Sequence, residues 1–248
     1  MKVAIGFFAA LIVGLTGVGG GSFTTPALIL LAGTSGAEAV GTALVFATVI
    51  RLVAAPFYLF GQKIHMRYLL IMLLGAIPGV LAGTYLLRKA TALALTPLVL
   101  AILGTMLVSG AVLTAWPSRP VMSGSSRRPL RWLACLALPL GVETGFSSAG
   151  AGALGSLLLF NFTPLSPAQV IGTDMVFGTA LTSLGALFHF SFGTVSGSTL
   201  QGLLAGGLPG VLIGCLLGPQ LPAQLLRKFV LVLTGLLGLQ LLLMGTRW

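Results

Sequence analysis

Acidic residues are nearly missing: Glu38, Glu143 and Asp174 are the three in 248 residues. Charged residues of both signs make up 6% of the chain, against roughly 25% in a soluble domain. So little charge excludes a globule covered by water. Cysteine and histidine are as scarce, with two of each. Cys135 and Cys215 stand alone in apolar runs, with neither metal-ligand spacing nor a redox partner, and read as core or lipid-facing positions. No pattern supplies a metal site, a cofactor site or a catalytic pairing, which argues against an enzyme. What fills the chain is hydrophobic, 56% of its residues. The thirteen Lys and Arg that give a net charge of +10 fit basic cytoplasmic loops. Aromatic and basic residues are not interleaved, so nucleic acid is not an expected partner. The chain reads as an all-α, polytopic membrane protein whose first partner is the lipid bilayer.

The N-terminus resembles a signal peptide, with Lys2 ahead of an apolar run from Val3, but no A-x-A-like cleavage site ends that run. A similar segment recurs from Arg131 to Gly145, where it cannot be a leader. The first segment is therefore read as part of the fold.

The organising stretch is Gly14-Leu15-Thr16-Gly17-Val18-Gly19-Gly20-Gly21-Ser22, and a relative returns as Gly145-Phe146-Ser147-Ser148-Ala149-Gly150-Ala151-Gly152. Runs of glycine weaken a helix. In hydrocarbon a broken helix leaves N–H and C=O groups unpaired at several kcal/mol each, so breaks survive only inside protein or beside water. Paired breaks point to a transporter's binding site.

The two stretches belong to a longer repeat at an offset of 131: Gly14 meets Gly145, Thr16 meets Ser147, Gly19 meets Gly150, and Gly21 meets Gly152. Without a gap, Gly41-Thr42 meets Gly172-Thr173, and Phe46 meets Phe177. Gly75, Pro78, Gly79 and Gly83 then meet Gly206, Pro209, Gly210 and Gly214. Matched Gly, Pro and Gly-Thr at one offset indicate a duplication. The first repeat is 1–116, a polar basic linker is 117–130, and the second repeat is 131–248.

Each half offers four apolar stretches, where a span needs about 20 residues. In the first they are Val3 to Leu31 with the glycine break, Ala37 to Phe60, Tyr68 to Leu87, and Leu95 to Leu113. In the second they are Trp132 to Phe160 with its break, Pro167 to Phe190, Leu200 to Leu217, and Phe229 to Met244. A straight helix from Val3 to Leu31 would be ~40 Å long, beyond the ~30 Å hydrocarbon core. The excess favours a re-entrant hairpin plus three spans per half, which makes the repeats inverted. Four straight crossings per half would make them parallel. Loop charges divide in the same proportion either way and do not decide. The stripes Gly75/Gly79/Gly83 and Gly206/Gly210/Gly214 let helices approach closely. Pro78 and Pro209 should kink those helices.

A new half-helix begins after each break, near Ser22 and near Gly152. Its first N–H groups lack partners, and its dipole adds roughly half a positive charge. The expected site for a small anion comprises Thr16, Gly17, Gly19, Gly20, Gly21 and Ser22 from one loop. Ser147, Ser148, Gly150 and Gly152 join from the other. The competing reading is that the hydroxyls cap helices and the glycines serve packing. The glycine spacing is not a dinucleotide fingerprint, because no strand precedes it. Thr42 and Thr173 could reach the same cavity from the second helices. Glu143 and Asp174 stand where the first half has Ile12 and Ala43. As intramembrane acids they are candidates for coupling anion movement to protons. Arg51, midway along an apolar stretch, could contact the anion, pair with Asp174 or Glu143, or reach headgroups. His189, where the first half has Tyr58, reads as a packed hydrogen-bond donor.

Gly17-Val-Gly-Gly-Gly-Ser22 with Pro26, Val40-Gly41-Thr42, and Tyr58-Leu-Phe-Gly61-Gln62-Lys63-Ile64 resemble the sulfite exporter TauE/SafE family. Gly172-Thr173-Asp174, Leu187-Phe-His189 and Gly193-Thr-Val195 resemble its second repeat. The resemblance covers nearly the whole chain. It implies a secondary transporter in a bacterial or archaeal plasma membrane, moving sulfite, a sulfonate or a related small anion. Gly17 to Ser22, Thr42, Ser147 to Gly152 and Thr173 match its patterned positions, whereas Arg51 is outside the pattern. The alternative is an anion channel on the same scaffold.

Overall fold

A computed structural model describes residues 1–16, 21–59, 64–115, 130–149, 153–192, 194–218 and 223–246. Gly17, Gly19, Gly20, Gly150, Gly152 and nearly all of the linker lie outside the described residues. The described residues form ten helices and no strand. The first half holds α1 (Lys2–Thr16), α2 (Gly21–Ala32), α3 (Gly36–Leu59), α4 (Met66–Ala92) and α5 (Thr96–Ala115). The second holds α6 (Leu130–Ser147), α7 (Ala153–Phe162), α8 (Pro167–Ser191), α9 (Gly197–Leu217) and α10 (Ala223–Thr246). Among the described residues α3, α4, α5, α8 and α9 are long and apolar enough to cross a membrane, and α1 and α2 are shorter apolar helices. The expected elements are present. α4 runs past Leu87 through Arg88 and Lys89 to Ala92, because this polar end is still good helix-forming sequence. The chain turns there, with Ala94 in the left-handed region at φ 53°. α4 continues through Pro78 and α9 through Pro209.

The halves interlock. The most extensive packing joins α1 to α9 and α4 to α6, so each broken segment rests on the other half's third span. Glycine makes these seams. A Cβ on Gly206, Gly210 or Gly214 would strike the backbone of Val3, Phe7 or Leu11. In the other seam, a Cβ on Gly75, Gly79 or Gly83 would strike Ala134, Leu138 or Val142. Each contact recurs 131 residues on, as small-residue packing in lipid requires of a repeated stripe.

The same contacts give the helix directions. Val3, Phe7 and Leu11 meet Gly206, Gly210 and Gly214 in ascending order, so α1 and α9 are parallel, and so are α4 and α6. Thr42 lies by Ser196, and Phe46 and Ile50 lie by Gly207, so α3 also runs with α9. α1 and α3 thus point the same way, and the short α2 between them returns toward the end where α1 began. The ends agree. Lys2 Nζ donates to Thr199 at 2.8 Å, and a surface pocket there is lined by Ser35, Glu38, Thr91 and Thr194. In contrast, equivalent helices of the two halves cross antiparallel. Leu44 meets Gly185 and Arg51 meets Gly178 between α3 and α8. Ala101 meets Gly245 and Gly104 meets Gly238 between α5 and α10.

Candidate functional site

The two breaks touch in the interior. α6 ends at Ser147, and the next residue, Ser148, is buried in the left-handed region at φ 64°, an uncommon state for a residue with a Cβ. Ser148 Oγ donates to the carbonyl of Gly21 at 3.2 Å. Its remaining neighbour, the Thr25 hydroxyl at 2.6 Å, therefore donates to it. Gly21 opens α2, and any Cβ there would strike the Ser148 carbonyl. Here close approach, rather than backbone freedom, is what requires glycine.

Carbonyls at the last turn of a helix lack partners inside it. The two halves solve this alike. Tyr58, from α3, donates its hydroxyl to the Gly14 carbonyl of α1 at 2.6 Å. His189, 131 residues on in α8, sets Nε2 3.1 Å from the Gly145 carbonyl of α6, so Nε2 carries the proton. The Thr16 and Ser147 hydroxyls donate one turn back to Ile12 and Glu143, at 2.7 and 2.9 Å. Ser147 Oγ also accepts from the N–H of Ala149 at 3.3 Å. Ser22 is the second residue of α2 and half-buried.

Thr42 and Thr173 are fully buried, yet their hydroxyls serve joints between helices. Thr42 Oγ1 accepts from the N–H of Ser196, which caps α9, at 3.1 Å. Thr173 Oγ1 accepts from the N–H of His65, which caps α4, also at 3.1 Å. Gly41 precedes Thr42 because a Cβ there would meet the Thr194 carbonyl and His189.

The charged groups sit off this symmetric frame. Arg51 is 2% exposed, buried between α3 and α8. Its guanidinium lies on Gly178, where a methyl group would collide with it. One turn earlier on α8, Asp174 is 5% exposed and attracts Arg51 electrostatically. Arg51 and Asp174 thus face the same crossing of α3 and α8, and the attraction between them is long-range. Asp174 Oδ2 accepts from Ser156, in the first turn of α7, at 2.5 Å. Its Oδ1 packs on Gly155 and has no hydrogen-bond partner among the described residues. Glu143 is half-buried and turns Oε1 toward Gly110 of α5, beside Leu154 of α7. Both acids therefore flank the start of α7. Among the described residues no group of three His, Cys, Asp or Glu could hold a metal ion.

Sequence reasoning singled out Ser148, Asp174 and Arg51, but not Thr25, Ser156, Gly155 or Gly178. One signal was available. Thr25 and Ser156 are hydroxyl residues at the repeat offset, each a few residues past its break.

Comparison with known proteins gives a consistent result. The sequence model of the family Sulfite exporter TauE/SafE matches residues 2–241. The chain is 27% identical over 252 residues to the "Probable membrane transporter protein YjnA" of Bacillus subtilis (strain 168), covering 94% of this chain and 97% of that protein. No solved structure matches significantly.

Proposed function

The chain belongs to the sulfite exporter TauE/SafE family of multi-pass plasma-membrane transporters, and from that premise we propose that it is a secondary carrier of a small anion. The substrate class is sulfite, a short sulfonate or a related carboxylate. It is held between the two breaks by the first N–H groups of α2 and α7. Thr16, Ser22, Ser147 and Ser148 edge the site, and Gly17, Gly19, Gly20, Gly21, Gly150 and Gly152 let the anion approach the backbone. Thr42, Thr173 and Arg51 support that site from α3 and α8. The observation that carries the reading is the meeting of the breaks, with Ser148 bonded to Gly21 and Thr25.

The two halves are read as an inverted duplication, 1–116 and 131–248, joined by the basic linker. Antiparallel crossing of α3 with α8 and of α5 with α10 supports this, since an axis along the membrane normal would make equivalent helices parallel. The first helix of each broken segment clamps the opposite half's third span, so α1 and α9 form one body and α4 and α6 another. Rocking of these bodies about the shared centre alternates access.

The experiment is flux of radiolabelled sulfite into proteoliposomes, with counterflow by unlabelled sulfite and by ethanesulfonate. Saturable uptake with counterflow is expected. Currents in single-channel steps without saturation would instead establish the channel. No flux of sulfite, sulfonate or small carboxylate would overturn both.

A further inference from the structure

The start of α7 is already answered by a charge of the chain itself. Asp174 lies against its first turn, with Oδ2 bonded to Ser156 and Oδ1 on Gly155. That Oδ1 is buried and has no hydrogen-bond partner among the described residues. The space for it is built. At the equivalent positions of the first half, Thr24 replaces Gly155 and Ala43 replaces Asp174. A side chain at 155 would collide with the carboxylate.

Resting on the transporter reading above, we infer that Asp174 is a tethered stand-in for the transported anion: ionised, it excludes the anion from the start of α7, and protonated, it admits it. The positive end of α7 attracts one negative group at a time, because two anions beside one helix terminus repel in a low-dielectric interior. Taking up a proton at Asp174 removes the competitor's charge. The anion then binds with one proton, and the pair crosses together. No bond other than the O–H of Asp174 forms or breaks. The first half has no such competitor, so the two breaks are unequal, the α2 side open to the anion at any pH and the α7 side gated.

Among the described residues, the charged and titratable groups around Asp174 are few. Arg51 comes from α3 onto Gly178, Glu143 stands across the first turn of α7, and His65 opens α4 beside Thr173. Arg51 and Glu143 both remain when Asp174 alone is altered.

The test measures binding of methanesulfonate, whose charge does not change from mildly acid to mildly alkaline pH, to the full chain in nanodiscs. Wild type should lose about tenfold in affinity per pH unit on the alkaline side, the slope for one linked proton. Asp174→Asn and Asp174→Ala, the latter copying Ala43, should bind with a flat pH profile. Ser156→Ala keeps the carboxylate but removes a donor to its ionised form, so binding should persist to higher pH. An unchanged slope in both Asp174 variants would overturn the inference and leave the carrier standing. No binding by any variant at any pH would also overturn it, since a competitor would have nothing to exclude. Sulfite flux on the same preparation then decides whether the carrier reading falls too.

Discussion

Two glycines that each open a helix separate packing from propensity. Gly21 starts α2 and Gly197 starts α9. Alanine at either position gains the same intrinsic helix preference, up to about 1 kcal/mol. Nothing lies within 4 Å of a Cβ on Gly197, so Gly197→Ala should be neutral or slightly stabilising. At Gly21 the new methyl strikes the Ser148 carbonyl, which is backbone in a left-handed state and has little room to yield. Relief needs the breaks to part by ~1 Å. Overpacking of this kind costs about 1–3 kcal/mol, and the Thr25–Ser148 bond at 2.6 Å is lost with it, for about 1 kcal/mol more. Gly21→Ala should therefore be less stable than wild type by ~2–4 kcal/mol, read by thermal unfolding in detergent. Flux should fall roughly 100-fold where protein remains folded, the usual consequence of a site displaced by ~1 Å. Equal stability and equal flux in Gly21→Ala and Gly197→Ala would refute the close contact and, with it, the shared site.

Three further outcomes test the frame. Reporter fusions should put residues 1 and 248 on the outer face and the 117–130 linker in the cytoplasm, since the linker end carries Lys63, Arg67, Arg119, Arg127, Arg128, Arg131, Arg227 and Lys228. Termini and linker on one side would break the hairpin topology. Tyr58→Phe leaves the Gly14 carbonyl without that donor and should cost about 1–3 kcal/mol of unfolding free energy. Tyr58→His, copying the second half, should recover most of it. Gly75→Ala and Gly206→Ala should destabilise alike, by about 1–3 kcal/mol each, because their methyls meet the Ala134 and Val3 carbonyls. A large effect at one and none at the other would show that the two seams differ.

Much of this frame could be read from residues because it rests on backbone contact. Each glycine stripe marks a seam, and the offset that pairs Gly75 with Gly206 also pairs their targets, Ala134 with Val3. The breaks were visible for the same reason, as glycine interrupts a helix wherever it clusters. Direction was not visible. Loop charges divide alike in either topology, whereas the ascending contacts of α1 along α9 show those two helices to be parallel. Partners of hydroxyls were hidden too. The sequence puts Thr42 in an early turn of α3 but does not say that the neighbour is the N–H of Ser196, 154 residues away. The Ser166 to Gln169 capping box that starts α8 is a local signal that sequence reasoning missed.

Two halves matched at one offset give a way to divide architecture from chemistry. Where the halves agree, the shared contact is structural. Tyr58 and His189 each hold the carbonyl of a glycine before a break, and Thr42 and Thr173 each hold a helix cap. Where they disagree most sharply, the difference is charge. Arg51 answers to Thr182, Asp174 to Ala43, and Glu143 to Ile12. Burying a charge in a membrane is costly, and a frame already closed by neutral contacts does not need one. Arg51 and Asp174 are buried at the crossing of α3 and α8, with Gly178 and Gly155 making room, and the proposal above gives that burial a use. A symmetric scaffold can rock between two equivalent states, but it cannot by itself tie that motion to a proton. Under the proton-coupled reading proposed above, that coupling resides in residues present in one half alone.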